Sequence, residues 1–163
     1  MSVLVYCNHQ LAADSQVTRD DDIAMFIPGL KVHRFCSGKY VIVSGETFSP
    51  EIFGIVGDLS HAQDLVAWVK NACEGEMPLA ENDEVSAILV MVTSKQVLEF
   101  VNSPHPLKID KHFDLRLAWG AGAALAIGAM AANEALTAEQ AAKIACDHSI
   151  YCGGKIEVVT CTA

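Results

Sequence analysis

Six cysteines and six histidines are the first residues in this chain whose chemistry demands an explanation. The cysteines stand at positions 7, 36, 73, 146, 152 and 161, and no two form a Cys-x-x-Cys pair. That spacing is what structural zinc sites and dithiol redox motifs use. The cysteines therefore read as reduced thiols of a cytosolic protein. The histidines, at positions 9, 33, 61, 105, 112 and 148, are scattered. His105 and His112 have no cysteine or carboxylate at ligand spacing, which argues against zinc. Gly120-Ala121-Gly122 precedes an apolar helical stretch and would offer N–H groups to a phosphate. The full Gly-x-Gly-x-x-Gly pattern fails, because Leu125 occupies its last place. Taken by spacing alone, Asp14 reads as a turn cap and Lys31 as a lysine on a solvated edge. Trp68 and Trp119 read as core.

Composition limits the rest. Of 163 residues, 52% are apolar (tyrosine included) and 19% are charged, against about 25% charged in an ordinary domain. The length suits a single domain over 1–163 with a substantial core. So apolar a chain, with so little charge, is expected to cover part of its surface with copies of itself. The formal charge is −9. Phosphate backbones and anionic membranes select for basic surfaces, so neither nucleic acid nor membrane is an expected partner. Met1 to Tyr6 is too short for a signal peptide. The apolar stretch from Leu117 to Ala132 is broken by Gly-x-Gly and falls short of the ~20 residues of a membrane span.

The elements that must position any site follow from the patterning. Ser2–Cys7 and Gln10–Thr18 read as a hairpin around Asn8-His9. The charged run Arg19–Asp22 ends it, and Ile23–Phe26 is a short apolar piece stopped by Pro28-Gly29. Lys31–Cys36 and Lys39–Ser44 read as a second hairpin about Ser37-Gly38. Ser49-Pro50-Glu51 has the signature of a helix start, and Ile52, Phe53, Ile55, Val56 and Leu59 are expected to form that helix. A second helix is expected from Ser60, ending near Gly75 and Pro78. Ser86–Val92 and Val97–Val101 are strands, Ser103–Pro106 a loop, and Leu115–Trp119 a further strand. An Ala-rich helix runs to about Asn133. Thr137 and Gln140 make a capping box for a helix to about His148, and Ile156–Cys161 is the last strand. The order ββ, ββ, αα, ββ, β, αα, β predicts an α+β fold. Its economical packing is a four-layer αββα sandwich of two mostly antiparallel sheets.

That order, with its local motifs, resembles the proteasome β-subunit family, and within it the bacterial HslV-type peptidases and their small phage and bacterial relatives. The resemblance is carried by Leu11-Ala12-Ala13-Asp14-Ser15-Gln16-Val17-Thr18, Leu30-Lys31-Val32-His33-Arg34-Phe35 and Val43-Ser44-Gly45-Glu46-Thr47. Trp119-Gly120-Ala121-Gly122-Ala123, Leu136 to Ala142 and Ile150 to Glu157 continue it in register over nearly the whole chain.

The resemblance implies an N-terminal-nucleophile hydrolase of the threonine-peptidase type. In such an enzyme the first residue of the mature chain attacks a peptide carbonyl and its own α-amine serves as base. Removal of Met1 would place Ser2 there. Lys31 would stabilise developing negative charge, Asp14 would hold Lys31, and Gly45 would contribute an oxyanion N–H. Ala121 stands where the family has a serine that hydrogen-bonds the terminal amine. Backbone carbonyls at Cys146, Ser149 and Cys152 fall where HslV-type enzymes hold a sodium ion. The implied partners are other copies of the chain, in a ring or related assembly, a polypeptide substrate and an ATP-dependent unfoldase. The implied compartment is the cytoplasm of a bacterium or a phage-infected host. Retention of Met1 would remove the free amine from Ser2. The chain would then be an inactive proteasome-like scaffold or a regulator of a protease.

Overall fold

The computed structural model describes residues 2–19, 23–36 and 38–161. Met1, the acidic end of the run at 20–22, and Ser37 lie outside the described residues. The strands begin with β1 (Val3–Cys7), β2 (Gln10–Ala13), β3 (Gln16–Arg19), β4 (Ile23–Phe26), β5 (Val32–Arg34), β6 (Val41–Val43), β7 (Glu46–Phe48) and β8 (Pro50–Gly57). Helix α1 (Leu59–Lys70) follows, then β9 (Ala87–Thr93), β10 (Gln96–Val101), β11 (Leu107–Asp110) and β12 (Arg116–Gly120). Helices α2 (Ala123–Ala132) and α3 (Ala138–His148) precede the last strand, β13 (Glu157–Thr160).

Two antiparallel sheets form the middle of the molecule, in the orders β12-β1-β2-β13 and β11-β10-β9-β8-β5. Helices α2 and α3 pack on the first sheet and α1 on the second, so the expected αββα layering is the observed one. The period-2 alternation of strands explains it. In β1, Val3, Val5 and Cys7 face Ala126, Met130, Ala141 and Ala145 of the helical layer. Leu4 and Tyr6 point the other way and meet Ile52, Val56, Val90 and Val92 between the sheets. Alanines on α3 let that helix lie close to the sheet. The capping box at its start is present, with Thr137 accepting from the Gln140 N–H and the Gln140 side chain accepting from the Thr137 N–H. Trp68 and Trp119 are both buried. Their indole N–H groups donate to the Gly75 carbonyl and to the Glu99 carboxylate.

The structure corrects four expectations. Residues 50–57 are a strand, not a helix. Phe53 and Ile55 pack beneath α1 while Ile52 and Val56 fill the space between the sheets. A strand buried on both faces is apolar throughout, and periodicity then cannot separate it from a buried helix. Consequently one helix, not two, covers that sheet. It starts at Leu59 with Asp58 as its cap, the carboxylate accepting from the His61 N–H at 3.0 Å. The second expected hairpin does not form either: β5 pairs with β8, and β6 with β7. The strand expected over Gln10–Thr18 is broken at Asp14-Ser15 into β2 and β3, which belong to different sheets. Finally, β11 adds an edge strand beside β10 that patterning did not show.

Candidate active site

The break between β2 and β3 turns Asp14 inward, where it is fully buried. A carboxylate so placed requires charged or N–H partners to offset lost hydration. Asp14 has three. Its Oδ1 accepts from Lys31 Nζ at 2.7 Å and from the Val3 N–H at 3.1 Å, and its Oδ2 accepts from the Gly153 N–H at 3.0 Å. Lys31 is equally enclosed, 4% exposed. Its ammonium also donates to the Gln16 carbonyl at 2.6 Å. Burial pushes the Lys31 pKa below its ordinary value, and the neighbouring Asp14 charge opposes that shift.

Backbone contacts fix Lys31 against β8. The Lys31 carbonyl accepts from the Ile55 N–H at 2.7 Å. Close approach here depends on Gly54, where an added Cβ would lie 2.8 Å from Leu4 Cδ1.

Ser2 is also buried, and its Oγ donates to the Gln16 carbonyl at 3.5 Å. The Ser2 hydroxyl and the Lys31 ammonium thus converge on one carbonyl oxygen. The Ser2 carbonyl accepts from the Gly122 N–H at 3.2 Å. The turn that supplies this donor passes so close that a Cβ on Gly120, whose φ is +93°, would collide with the Ser2 carbonyl oxygen. Ser2 lines two spaces. One is a cavity of about 20 Å³, walled by Lys31, Leu30, Ile55 and Leu59. The other is an open groove of about 380 Å³, lined by Val56, Gly57, Asp83, Ile88, Gly120 and Ala121.

Of the residues singled out in the sequence, the structure therefore gathers Ser2, Asp14, Lys31 and Ala121. It does not gather Gly45, which occupies the exposed turn between β6 and β7, with φ +78°, and lines neither space at Ser2. Val56 and Gly57, at the end of β8, line both. The carbonyl of Gln16 and the N–H of Gly153 were not apparent in the sequence, since backbone groups carry no residue signature.

Cys146, Ser149 and Cys152 lie at the end of α3 and in the loop beyond it. Cys146 and Cys152 pack in the same cluster beneath the helical layer, and the neighbouring Cys152 thiol and burial push the Cys146 pKa up while Cys146 draws that of Cys152 down. The Ser149 hydroxyl accepts from the Tyr151 N–H at 3.2 Å. Among the described residues no three His, Cys, Asp or Glu side chains cluster as a metal site. All six cysteines are free. No described helix is long and apolar enough to cross a membrane.

The four-layer αββα sandwich is a proteasome-like fold, that of HslV and Anbu. Solved structures bear this out. Eukaryotic HslV from Trypanosoma brucei superposes with a TM-score of 0.64 at 17% identity, covering 98% of each chain. BPH from Thiobacillus denitrificans, solved in complex with epoxomicin, gives 0.58 at 13% identity over 99% of each chain. A Gly-1 mutant of Anbu from Hyphomicrobium sp. strain MC1 gives 0.61 at 13% identity, covering 98% of this chain and 81% of that one. No family model and no curated sequence matches the chain.

Proposed function

We propose that this chain is a peptidase subunit of the N-terminal-nucleophile type, with Ser2 as nucleophile after removal of Met1, working in a self-associated assembly in the cytoplasm. The observation that carries the reading is the convergence of the Ser2 hydroxyl and the Lys31 ammonium on the Gln16 carbonyl, with Asp14 buried behind them. In this reading the freed α-amine takes the hydroxyl proton as Ser2 Oγ attacks a peptide carbonyl, and returns it to the leaving amine. Lys31, itself enclosed, supplies fixed positive charge held out of bulk water, where such charge acts most strongly on a developing oxyanion. Asp14 is a positioning residue, acting through Lys31. Main-chain groups at Val56–Gly57 take the oxyanion role expected of Gly45. The groove beside Ala121 receives the polypeptide. Intact mass combined with peptide hydrolysis tests this. Loss of one methionine together with turnover supports it, and a Met1-free protein without turnover overturns it. The absence of a hydroxyl at Ala121 favours a second reading, an inactive proteasome-like scaffold, which that last outcome would select.

The reassignment from Gly45 to Gly57 makes its own prediction. Both glycines have positive φ, +78° and +130°. A Cβ at Gly45 meets nothing within 4 Å, whereas one at Gly57 would lie 2.7 Å from the Ala87 Cα and the Ser86 carbonyl oxygen. Gly45→Ala is expected to leave kcat/KM within about twofold and to cost about 1 kcal/mol of stability from backbone strain alone. Gly57→Ala is expected to displace the end of β8 and to lower kcat/KM by about 10²-fold, as for a lost oxyanion donor. Parallel kinetics and melts of the two variants check this.

The pH profile follows from Lys31. The α-amine must be neutral to act as base, so the rate rises as pH passes its pKa, ordinarily about 8 and held lower by the adjacent ammonium. Lys31 must be charged. Burial lowers its pKa from the ordinary lysine value of 10.5, so activity falls again as pH rises through that lowered value. A bell whose alkaline limb begins below pH 10.5 is expected in kcat/KM. A rate still rising at that pH would mean that the Lys31 charge is not used.

Self-association is supported by apolar side chains left in solvent. Ile150 is 83% exposed, Phe113 71% and Ile42 60%. Sedimentation at micromolar concentration is expected to give a species larger than one chain, and a strict monomer would contradict the assembly.

A further inference from the structure

Outside the cluster of Ser2, Asp14 and Lys31, one buried ring is engaged at both of its nitrogens. His61, on the first turn of α1, is 5% exposed. Its Nδ1 accepts from the Ala87 N–H at 2.8 Å, and its Nε2 lies 2.9 Å from the Pro78 carbonyl oxygen. A main-chain N–H can only donate, so Nδ1 carries a lone pair and Nε2 carries the proton that Pro78 accepts. The imidazole is thereby a neutral ring held in one tautomer. It joins α1, the segment leading from α1 to β9, and the first residue of β9. Ala87 stands opposite Gly57 in the β8–β9 register. The Asp58 N–H donates to the Ser86 carbonyl at 3.2 Å and closes the same end of the ladder. A Cβ on Gly57 would lie 2.7 Å from the Ala87 Cα, so a shift of Ala87 is felt at Gly57. Gly57, Ser86 and Ile88 all line the groove beside Ser2.

We propose that His61 is a positioning residue for the candidate site, holding the start of β9 and, through it, the Gly57 end of β8. Ala87 is buried, so its N–H needs an acceptor from the protein, and His61 Nδ1 is that acceptor. A main-chain donor stabilises a developing oxyanion only when its direction is fixed before the reaction. The role taken by Val56–Gly57 therefore depends on a ring that lines neither space at Ser2. Histidine suits the place because one rigid ring offers an acceptor to Ala87 and a donor to Pro78. Asparagine places its Oδ1 where imidazole has Nδ1, each bonded to Cγ. Glutamine, one carbon longer, carries its amide NH₂ to where imidazole has Nε2. The two substitutions thus divide the ring's work. His61→Asn keeps the hold on Ala87 and releases Pro78, and His61→Gln does the reverse. The effect of His61 on turnover rests on the peptidase reading, and its effect on the end of β8 does not.

The test uses the full chain and both variants, read by melting, amide hydrogen exchange and peptide hydrolysis. Each variant loses one hydrogen bond, so both should melt about 2–4 °C below the parent. Their other properties should diverge. In His61→Gln the Ala87 and Asp58 amides are expected to exchange about tenfold faster, the factor that accompanies loss of one ordinary hydrogen bond. Asp58 does not bond to the ring, so its exchange reports what is transmitted to the end of β8. In the same variant kcat should fall about tenfold with KM little changed, as for an interaction used only in the transition state. His61→Asn should restore both amides to parental exchange and kcat to within about threefold of the parent. Proton–nitrogen correlation spectra of the parent ring should show a bare Nδ1 and a protonated Nε2. Equal loss of kcat in the two variants, faster exchange at Ala87 without change at Asp58, or a ring protonated at Nδ1 would each overturn the proposal. The same split in amide exchange in a protein without turnover would uphold it while defeating the peptidase reading.

Discussion

Ser2→Ala is expected to eliminate peptide hydrolysis and to leave the fold intact. Deleting the nucleophile of a hydrolase that works by covalent attack lowers kcat on the order of 10⁶-fold, which here means loss of detectable turnover. The structural cost should be small. The Ser2 side chain makes one hydrogen bond, at 3.5 Å, and the contacts that seat this residue are made by its backbone, through the Gly122 N–H. Loss of so long a bond is worth less than about 1 kcal/mol. Melting temperature and circular dichroism should therefore match the parent while activity disappears. Undiminished hydrolysis in Ser2→Ala would place the chemistry elsewhere.

Asp14→Asn should have the largest effect on stability. The variant keeps the shape of the side chain but leaves the Lys31 ammonium, 4% exposed, without its counter-charge. It also presents an NH₂ where Asp14 now accepts from Lys31, Val3 or Gly153. Removing one partner of a buried ion pair costs about 3–5 kcal/mol. For a chain of this size that corresponds to a fall of roughly 6–20 °C in melting temperature. Hydrolysis should fall as well, since an unanchored Lys31 loses its geometry. Asp14→Asn with an unchanged melt would show that the pair contributes little to either.

Much of this arrangement could be read from the residues. The hairpin at the start of the chain, the capping box at Thr137 and Gln140, and the paired helices at the end are local signals, and each forms as its chemistry dictates. Asp14 and Lys31 were legible only through their motifs, because nothing in their spacing shows that a break after Ala13 brings a carboxylate and an ammonium to 2.7 Å. The misplacement of Gly45 has a definite origin. Both Val41-Ile42-Val43-Ser44-Gly45 and Ile55-Val56-Gly57 are apolar strands ending in a glycine, and the second was hidden inside residues read as a helix. Ser49-Pro50 mimics a helix start, and the strand after it is apolar on both faces because sheet and helix enclose it. With residues 50–57 taken as a helix, Gly45 is the strand-end glycine that remains for the site. The supports from Gln16 and Gly153 are main-chain groups, and three-dimensional placement alone reveals them.

The central claim is that Ser2, freed of Met1, is the nucleophile. Its most direct test is treatment of the purified protein with a peptidyl electrophile that bonds covalently to a nucleophilic hydroxyl, followed by intact mass and peptide mapping. The account predicts one adduct per chain, on an N-terminal peptide beginning at Ser2, absent from Ser2→Ala. An adduct mapped to any other residue, or a Met1-free protein that takes up no label, would contradict it.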